Sequence, residues 1–425
     1  MIQRVEAKGF RALRHVDVNL KLFQLLAGPN ASGKSTFFDT IHLLRDTLNV
    51  GLEHAVLGDL SAGVDQRADD PTDLTWMREG KPIEIALTAR LPETLRERVD
   101  FSFCRYEVEI AADPSLALAN ETFWLCREYP EADKRPVQPD LPSFPSPLPE
   151  GTPVVRSSGK KAPNGWKSVV HKIANKGNDY FRSETTGWNS LFRLGPAKSA
   201  LANLPEDEER FPAAIWFKRL LMEGIHRLAL NAESMRLPCP PGGAKDFLPD
   251  GSNMPWAVWD LEQHDPDSLQ EWVEHLGTAL PDLEAVYTRE REENRSRYVV
   301  LRYRSGLEAP SWVVSDGTLR LLALTLLAYT REHPGLLLIE EPENGIHPRA
   351  VESVMHSLSS IRGAQVLCAT HSPVALSLAK PQEILCFGKT DAGEADIRSG
   401  EDHPRLRDWQ GGIALGDLFA AGVLS

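Results

Sequence analysis

The sequence predicts an α/β fold: a mixed sheet flanked by helices, assembled from both ends of the chain, with an antiparallel β lobe and a helical insertion between them. Three observations predict it. An apolar strand leads into a glycine-bearing loop and an apolar-faced helix within the first fifty residues. Strand-like segments succeed one another from about 80 to 126. Beyond residue 226, short apolar strands and helical segments alternate closely again. The chain therefore divides into 1–75, the first part of the core; 76–225, the antiparallel lobe with a proline-rich loop at 128–165 and a helical insertion; and 226–425, the second part of the core with a C-terminal tail.

Residues 1–27 read as two strands around a turn, from the alternation in IQRVEAKGF and the buried-type run LFQLLAG. A helix starts near Lys34, with Phe37, Phe38, Ile41, Leu44 and Leu48 at helical spacing. PIEIALTARL, FSFCRYEVEIA and ALANETFWLC are successive strands. After the proline-rich stretch come a strand-like segment and helices, including a long amphipathic candidate, FPAAIWFKRLLMEGIHRL. DSLQEWVEHLGTAL is a helix and RYVVLRYR a strand. A helix over 317–331, the buried strand LLLIE, a helix near 348–361 and the strands QVLCAT and EILCFG follow, and IALGDLFAAGVLS closes the chain as a short helix. There is no internal repeat and no sustained heptad stretch.

Composition narrows the function classes. With 47 basic against 60 acidic residues and a net charge of -13, the chain is no whole-surface nucleic-acid binder. One local stretch departs from that balance. Between Arg156 and Arg182 lie Lys160, Lys161, Lys167, Lys172 and Lys176 with a single acid, Asp179, and with Trp166 and Tyr180 interleaved. Such a stretch can contact a nucleic-acid backbone, or be an ordinary solvated loop. Cys104, Cys126, Cys239, Cys368 and Cys386 are odd in number and not at metal-ligand spacing, as expected of reduced, buried thiols. The N-terminus lacks a secretory apolar run, and the longest apolar run, from Leu319 to Tyr329, is too short for a bilayer. The expectation is a cytoplasmic protein without membrane contact.

Four motifs carry chemistry. GPNASGKST, residues 28–36, fits G-x-x-x-x-G-K-[ST] without a mismatch. Gly28 and Gly33 allow a backbone path that points N–H groups at phosphate oxygens, and the helix N-terminus adds partial positive charge. Lys34 is expected to reach the β- and γ-phosphates, Ser35 to offer its hydroxyl to Mg²⁺ and Thr36 to bond the α-phosphate; Asn30 falls among the same phosphate contacts. In LLLIEEPENGIHP the carboxylates emerge at the C-terminal end of a buried strand, where ligands of α/β sheets bind. Glu340 is expected to hold Mg²⁺, and Glu341 to orient and deprotonate a water. In CATHSP, His371 follows another apolar strand and reaches the same edge, where a neutral imidazole can bond the γ-phosphate and the water. In VVSDGTLRLLAL, Ser315 and Gly317 open an apolar helix and form a further anion site. One chain needs one phosphate loop, so this site suggests contact with a nucleotide held by another copy.

In this order the motifs resemble those of ABC-type ATPases of the OLD-like and SMC-like group, the bacterial "AAA family ATPases" of prokaryotic defence systems. GPNASGKST looks like their Walker A, VVSDGTLRLL their ABC signature, LLLIEEPENGIHP their Walker B with D-loop, and ATHSP their switch-histidine segment. The opening IQRVEAKGFRALRHVDVNL and LPDGSNMPWAVWDL also resemble family segments, so the likeness covers roughly 1–50 and 226–425. It implies an ABC-type P-loop ATPase head, two chains sandwiching two ATP molecules, and Ser315 and Gly317 of one chain touching the γ-phosphate bound by Lys34 of the other. Glu340 stands where transporter-type ATPases carry Asp, a swap the OLD-like group makes. Gln66 is the nearest candidate for the family's Gln-loop. After His371 there is no room for the TOPRIM nuclease domain of many OLD-like proteins, which implies a separate effector, a nuclease or toxin.

The leading expectation is thus a homo-oligomeric ATPase subunit of an antiphage defence system, using ATP and Mg²⁺. An SMC-like DNA-repair or chromosome-associated ATPase is the alternative, but the interval before the signature lacks heptads. A transporter ATPase is disfavoured by the 281 residues separating Lys34 from Ser315. A scaffold that only binds ATP is disfavoured by the complete set of catalytic-type residues.

Overall fold

The computed structural model describes residues 1–130, 144–146, 153–156, 162–174, 179–242, 247–330, 335–406, 409 and 411–424. In chain order the strands are β1 (Ile2–Phe10), β2 (Leu13–Asn19), β3 (Phe23–Ala27), β4 (Ile83–Arg90), β5 (Phe103–Ala111), β6 (Ala117–Cys126), β7 (Trp166–Ile173), β8 (Tyr180–Arg182) and β9 (Asn189–Leu191). They continue as β10 (Ile225–Leu228), β11 (Leu283–Glu290), β12 (Arg297–Tyr303), β13 (Glu308–Pro310), β14 (Gly335–Glu340), β15 (Ala364–Thr370), β16 (Ile384–Lys389) and β17 (Ala395–Ser399). One sheet runs β2-β1-β4-β5-β6-β7-β8-β9, a second β10-β14-β15-β3-β16-β17, and a small third β11-β12-β13.

The second sheet is parallel except for β17. Its strands are continuous apolar runs because both faces are covered. Leu26, Leu336, Leu338, Leu367 and Phe387 pack with the helices Lys34–Val50 and Pro212–Met222 and with the inner face of the antiparallel sheet. Leu25, Leu337, Ile339, Val366 and Cys368 pack on the opposite side, against the helices Met254–His264, Pro266–Ala279, Asp316–Leu326 and Pro348–Ser360. The order is therefore antiparallel sheet, helices, parallel sheet, helices. The mixed α/β class and the antiparallel lobe expected from the sequence are both present.

Three expectations need correction. Residues 1–27 form three strands, because HVDVN is a strand too: Val16 and Val18 pair with Ala7 and Val5 across the β1–β2 hairpin. That hairpin continues the antiparallel sheet through β4, so the lobe draws on residues before 76. The long helix FPAAIWFKRLLMEGIHRL stops at Met222, and IHRL is β10. The Gly224 carbonyl accepts a 2.7 Å hydrogen bond from the Leu336 N–H, and Gly335 approaches it so closely that no Cβ would fit. Sheet pairing overrides the helical period there. The helix expected over 317–331 covers Asp316–Leu326, and residues 331–334 lie outside those described.

Most of the proline-rich 128–165 stretch also lies outside the described residues. Of its described parts, residues 144–146 lie against β16 and β17, where the Ser146 N–H donates to Asp396 at 2.8 Å, whereas Pro130 and residues 153–156 cross the polar outer face of the antiparallel sheet. Arg4 donates to the Pro130 carbonyl at 2.7 Å, and the Val154 and Val155 N–H groups donate to Glu84 at 2.8 and 3.0 Å. Beneath them Arg105, fully buried, donates to Glu6, to Glu107 at 2.7 Å and to the Val154 carbonyl at 2.9 Å. Replacing Arg105 by Leu takes the paired guanidinium from buried Glu107 and leaves Glu6 with Arg4 at 3.0 Å. Denaturant unfolding should show a loss of about 3–5 kcal/mol, and the double change with Glu107→Leu should recover part of it.

All five cysteines are free and buried. Among the described residues no helix is long and apolar enough to cross a membrane.

Candidate functional site

The site forms where β3, β15 and β14 end side by side. Register places Thr370 beside Ala27 and Glu340 beside Ala369, so the chain leaves all three strands at one edge. From β3 it enters the loop 28–33 and then the helix Lys34–Val50. Gly33 stands at the helix N-cap with φ 101°, a left-handed conformation that favours glycine, and supplies no capping side chain. The first N–H groups of the helix are therefore open toward the loop. A Cβ on Gly28 would lie 2.5 Å from the Phe387 carbonyl oxygen and 2.8 Å from Ser32 Oγ, so the loop passes directly over β16.

Lys34 is buried, and its ammonium donates to the carbonyls of Gly28 and Pro29 at 2.8 and 2.9 Å. The lysine thus curls over the hollow its loop encloses. Burial pushes its pKa down to about 8, against the pull of the Glu341 and Glu340 carboxylates. Ser35 Oγ donates to Glu340 Oε2 at 2.7 Å, joining the phosphate loop to the end of β14 across 305 residues of sequence. Glu340 Oε1 accepts from Arg227 of β10 at 3.1 Å. Glu341 follows with φ 48°, strained for a residue with a side chain, and its N–H donates to the Ala369 carbonyl at 2.8 Å.

His371 has its pKa lowered, first by burial and then by the Lys34 ammonium, with Glu341 and Glu343 opposing. It is neutral at pH 7. Glu343 Oε1 accepts from Thr370 Oγ1 at 2.8 Å and from the His371 N–H at 2.9 Å, tying the segment after Glu341 to the histidine. The sequence reading missed Glu343 and Arg227. Glu343 stood in view within EEPEN, but Arg227 was hidden in the segment taken for helix.

The remaining candidates lie elsewhere or at the rim. Asn30 is exposed on the loop, and Thr36 is half-buried in the first turn. Ser315 caps the helix Asp316–Leu326, its Oγ accepting from the Thr318 N–H at 3.2 Å, and it faces solvent. A Cβ on Gly317 would collide with the Gly345 carbonyl. Asp316 pairs with Arg236, which also donates to the Val314 carbonyl at 3.0 Å. Gln66 donates to Asp69 at 2.7 Å, a contact within its own loop. Of the basic stretch, Lys160, Lys161 and Lys176 lie outside the described residues. Lys172 is buried on the carbonyls of Pro196 and Lys198, and Lys167 donates to the Glu184 carbonyl. Arg156 and Arg182 lie over the rings of Trp166 and Tyr180.

Two buried polar atoms in the site lack a protein partner: Ser32 Oγ in the loop and Glu343 Oε2 beneath His371. With the open helix N-terminus, the curled lysine and the Ser35–Glu340 pair, the donor set fits a polyphosphate with a divalent cation.

Fold and site together define a P-loop ATPase built like an SMC head. The chain belongs to the family described as "AAA domain, putative AbiEii toxin, Type IV TA system", whose model matches residues 25–377. An SMC head bound to the C-winged-helix domain of ScpA superposes with a TM-score of 0.52 at 13% identity, over 93% of this chain and 97% of that one. An Smc head domain with an extended coiled coil, bound to the C-terminal domain of ScpA derived from Pyrococcus furiosus, gives 0.49 at 13% identity, over 100% and 98%. The SMC head domain from Thermotoga maritima gives 0.43 at 11%, over 94% and 98%. No curated protein matches the chain.

The lysine makes nucleotide affinity depend on pH. Below about pH 8 Lys34 is charged before and after binding, and adds no pH dependence. Above it the free lysine loses its proton, whereas phosphate oxygens restore the charged form. Binding then takes up a proton, and affinity should fall by up to about tenfold per pH unit. Calorimetric titration of a non-hydrolysable ATP analogue at pH 9, in two buffers of different ionisation enthalpy, should reveal that uptake; its absence would refute the assignment.

Proposed function

We propose that this chain binds and hydrolyses Mg-ATP at a composite interface between two copies, and serves as the sensor or regulatory ATPase of an antiphage defence system controlling a separate effector, a nuclease or toxin. The observation that carries the ATPase reading is the Ser35–Glu340 hydrogen bond, which joins the phosphate loop to the carboxylates at the end of β14.

In this reading the loop N–H groups around Asn30 and Gly33 cradle the phosphates, Thr36 bonds the α-phosphate, and Lys34 leaves the Gly28 and Pro29 carbonyls for the β- and γ-phosphates. Ser35 and Glu340 hold Mg²⁺, which when bound neutralises charge on the phosphate oxygens. Glu341 orients a water toward the γ-phosphate and accepts its proton. His371, neutral and positioned through Glu343, donates or accepts a hydrogen bond at the same oxygen. Ser315 and Gly317 complete the site of the opposite copy. Exposure of Ser315, with a helix N-terminus behind it, supports that in-trans role. The toxin–antitoxin wording of the family description supports the defence role.

Mixing two inactive variants tests the composite site. Lys34→Ala and Ser315→Arg should each hydrolyse little ATP. Mixed in equal amounts, they should recover about a quarter of wild-type turnover, since half of random pairs are mixed and each holds one complete site. No recovery under conditions where the chains exchange would sink the in-trans arrangement.

A further inference from the structure

Glu340, the carboxylate that ends β14, carries a donor on each oxygen: Ser35 Oγ on Oε2 at 2.7 Å and the Arg227 guanidinium on Oε1 at 3.1 Å. Arg227 owes this reach to register. The parallel pairing of β10 with β14 sets it beside Leu338, which shares a face of β14 with Glu340. Its side chain is half exposed, and Glu340 is its one ion pair among the described residues.

The other cations of this corner are committed elsewhere. Arg45 pairs with Asp46 at 2.9 Å, and Arg67 with Asp39 at 2.7 Å and Asp46 at 2.6 Å. Lys34 is held by the loop carbonyls. His42 is neutral, since burial and then Arg45 push its pKa down to about 3. Direct pairing of Glu340 therefore falls to Arg227 alone. A half-exposed ion pair adds little to stability. The effect of this guanidinium is local: it orients one carboxylate and offsets its charge where a polyphosphate would otherwise meet it bare.

We propose that Arg227 is a positioning residue of the nucleotide site that stands in for the divalent cation: it holds Glu340 and offsets its charge, and yields the carboxylate when the cation binds. The role rests on the Mg-ATP reading above. Guanidinium and cation serve the same carboxylate, so each weakens the need for the other, and their coupling is reciprocal.

Arg227→Met in the full chain tests the role by two binding measurements, without turnover. A non-hydrolysable ATP analogue, titrated in EDTA, should bind the variant about fivefold more weakly, the most that a half-exposed pair contributes. With the analogue saturating, Mn²⁺ followed by electron paramagnetic resonance should bind the variant about fivefold more tightly. The opposite signs are decisive, because a distorted site loosens nucleotide and metal alike. Unchanged affinity for the analogue in EDTA, or Mn²⁺ affinity that stays the same or falls, overturns the role of Arg227 and leaves the ATPase reading standing. A wild-type chain that binds the analogue in neither EDTA nor Mg²⁺ overturns the nucleotide site itself, and this role with it.

Discussion

Glu341→Gln should lower steady-state ATP hydrolysis by about two to four orders of magnitude, the usual contribution of a positioned general base. ATP binding should persist. The residue is placed by backbone rather than by side-chain contacts: β14 ends at Glu340, the chain turns through a left-handed φ of 48°, and the Glu341 N–H is held by the Ala369 carbonyl. Glutamine keeps the shape and the turn while removing the base. Nucleotide-bound pairs should therefore accumulate, visible by light scattering with ATP present. Equal turnover by both proteins would remove Glu341 from the base role and leave ATP as a structural ligand.

The second large effect is expected from Gly28→Ala, a single added methyl. Its Cβ would lie 2.5 Å from the Phe387 carbonyl oxygen, 2.7 Å from the Phe387 Cβ and 2.8 Å from Ser32 Oγ. Phe387 is itself packed, its ring edge-on to Phe37 at 5.9 Å, so it has little room to retreat. The loop must move instead, and with it the carbonyls that now hold Lys34. Overpacking of this kind costs about 1–3 kcal/mol in stability. Nucleotide affinity should fall far more than stability, because the methyl displaces the surface that meets phosphate. Parallel nucleotide titration and denaturant melts separate the two, and unchanged affinity would show that the loop is not the nucleotide site.

The parallel core was legible because buried strands such as LLLIE and QVLCAT are apolar on both faces, and few other arrangements accept such runs. The phosphate loop, Glu340, Glu341 and His371 were legible because each follows directly on one of those strands, so the sheet alone gathers them. What failed had another cause. IHRL continues the period of the preceding helix, and only its pairing with β14, far along the chain, makes it a strand. Arg227 went unseen with it. The two cations Lys167 and Lys172 looked solvent-facing in sequence, yet both are spent on backbone carbonyls. Lysines turned inward this way leave no periodic trace.

The contact between Gly317 and Gly345 joins the helix that begins at Asp316 to the turn that follows Glu341. Within that turn, the Asn344 N–H donates to the Glu341 carbonyl and the Ile346 N–H to that of Glu343. Main chain meets main chain, with no side chain between. The fit therefore rests on what two positions lack: a side chain at 317 would strike the Gly345 carbonyl, and Gly345 itself turns through a left-handed φ of 74°.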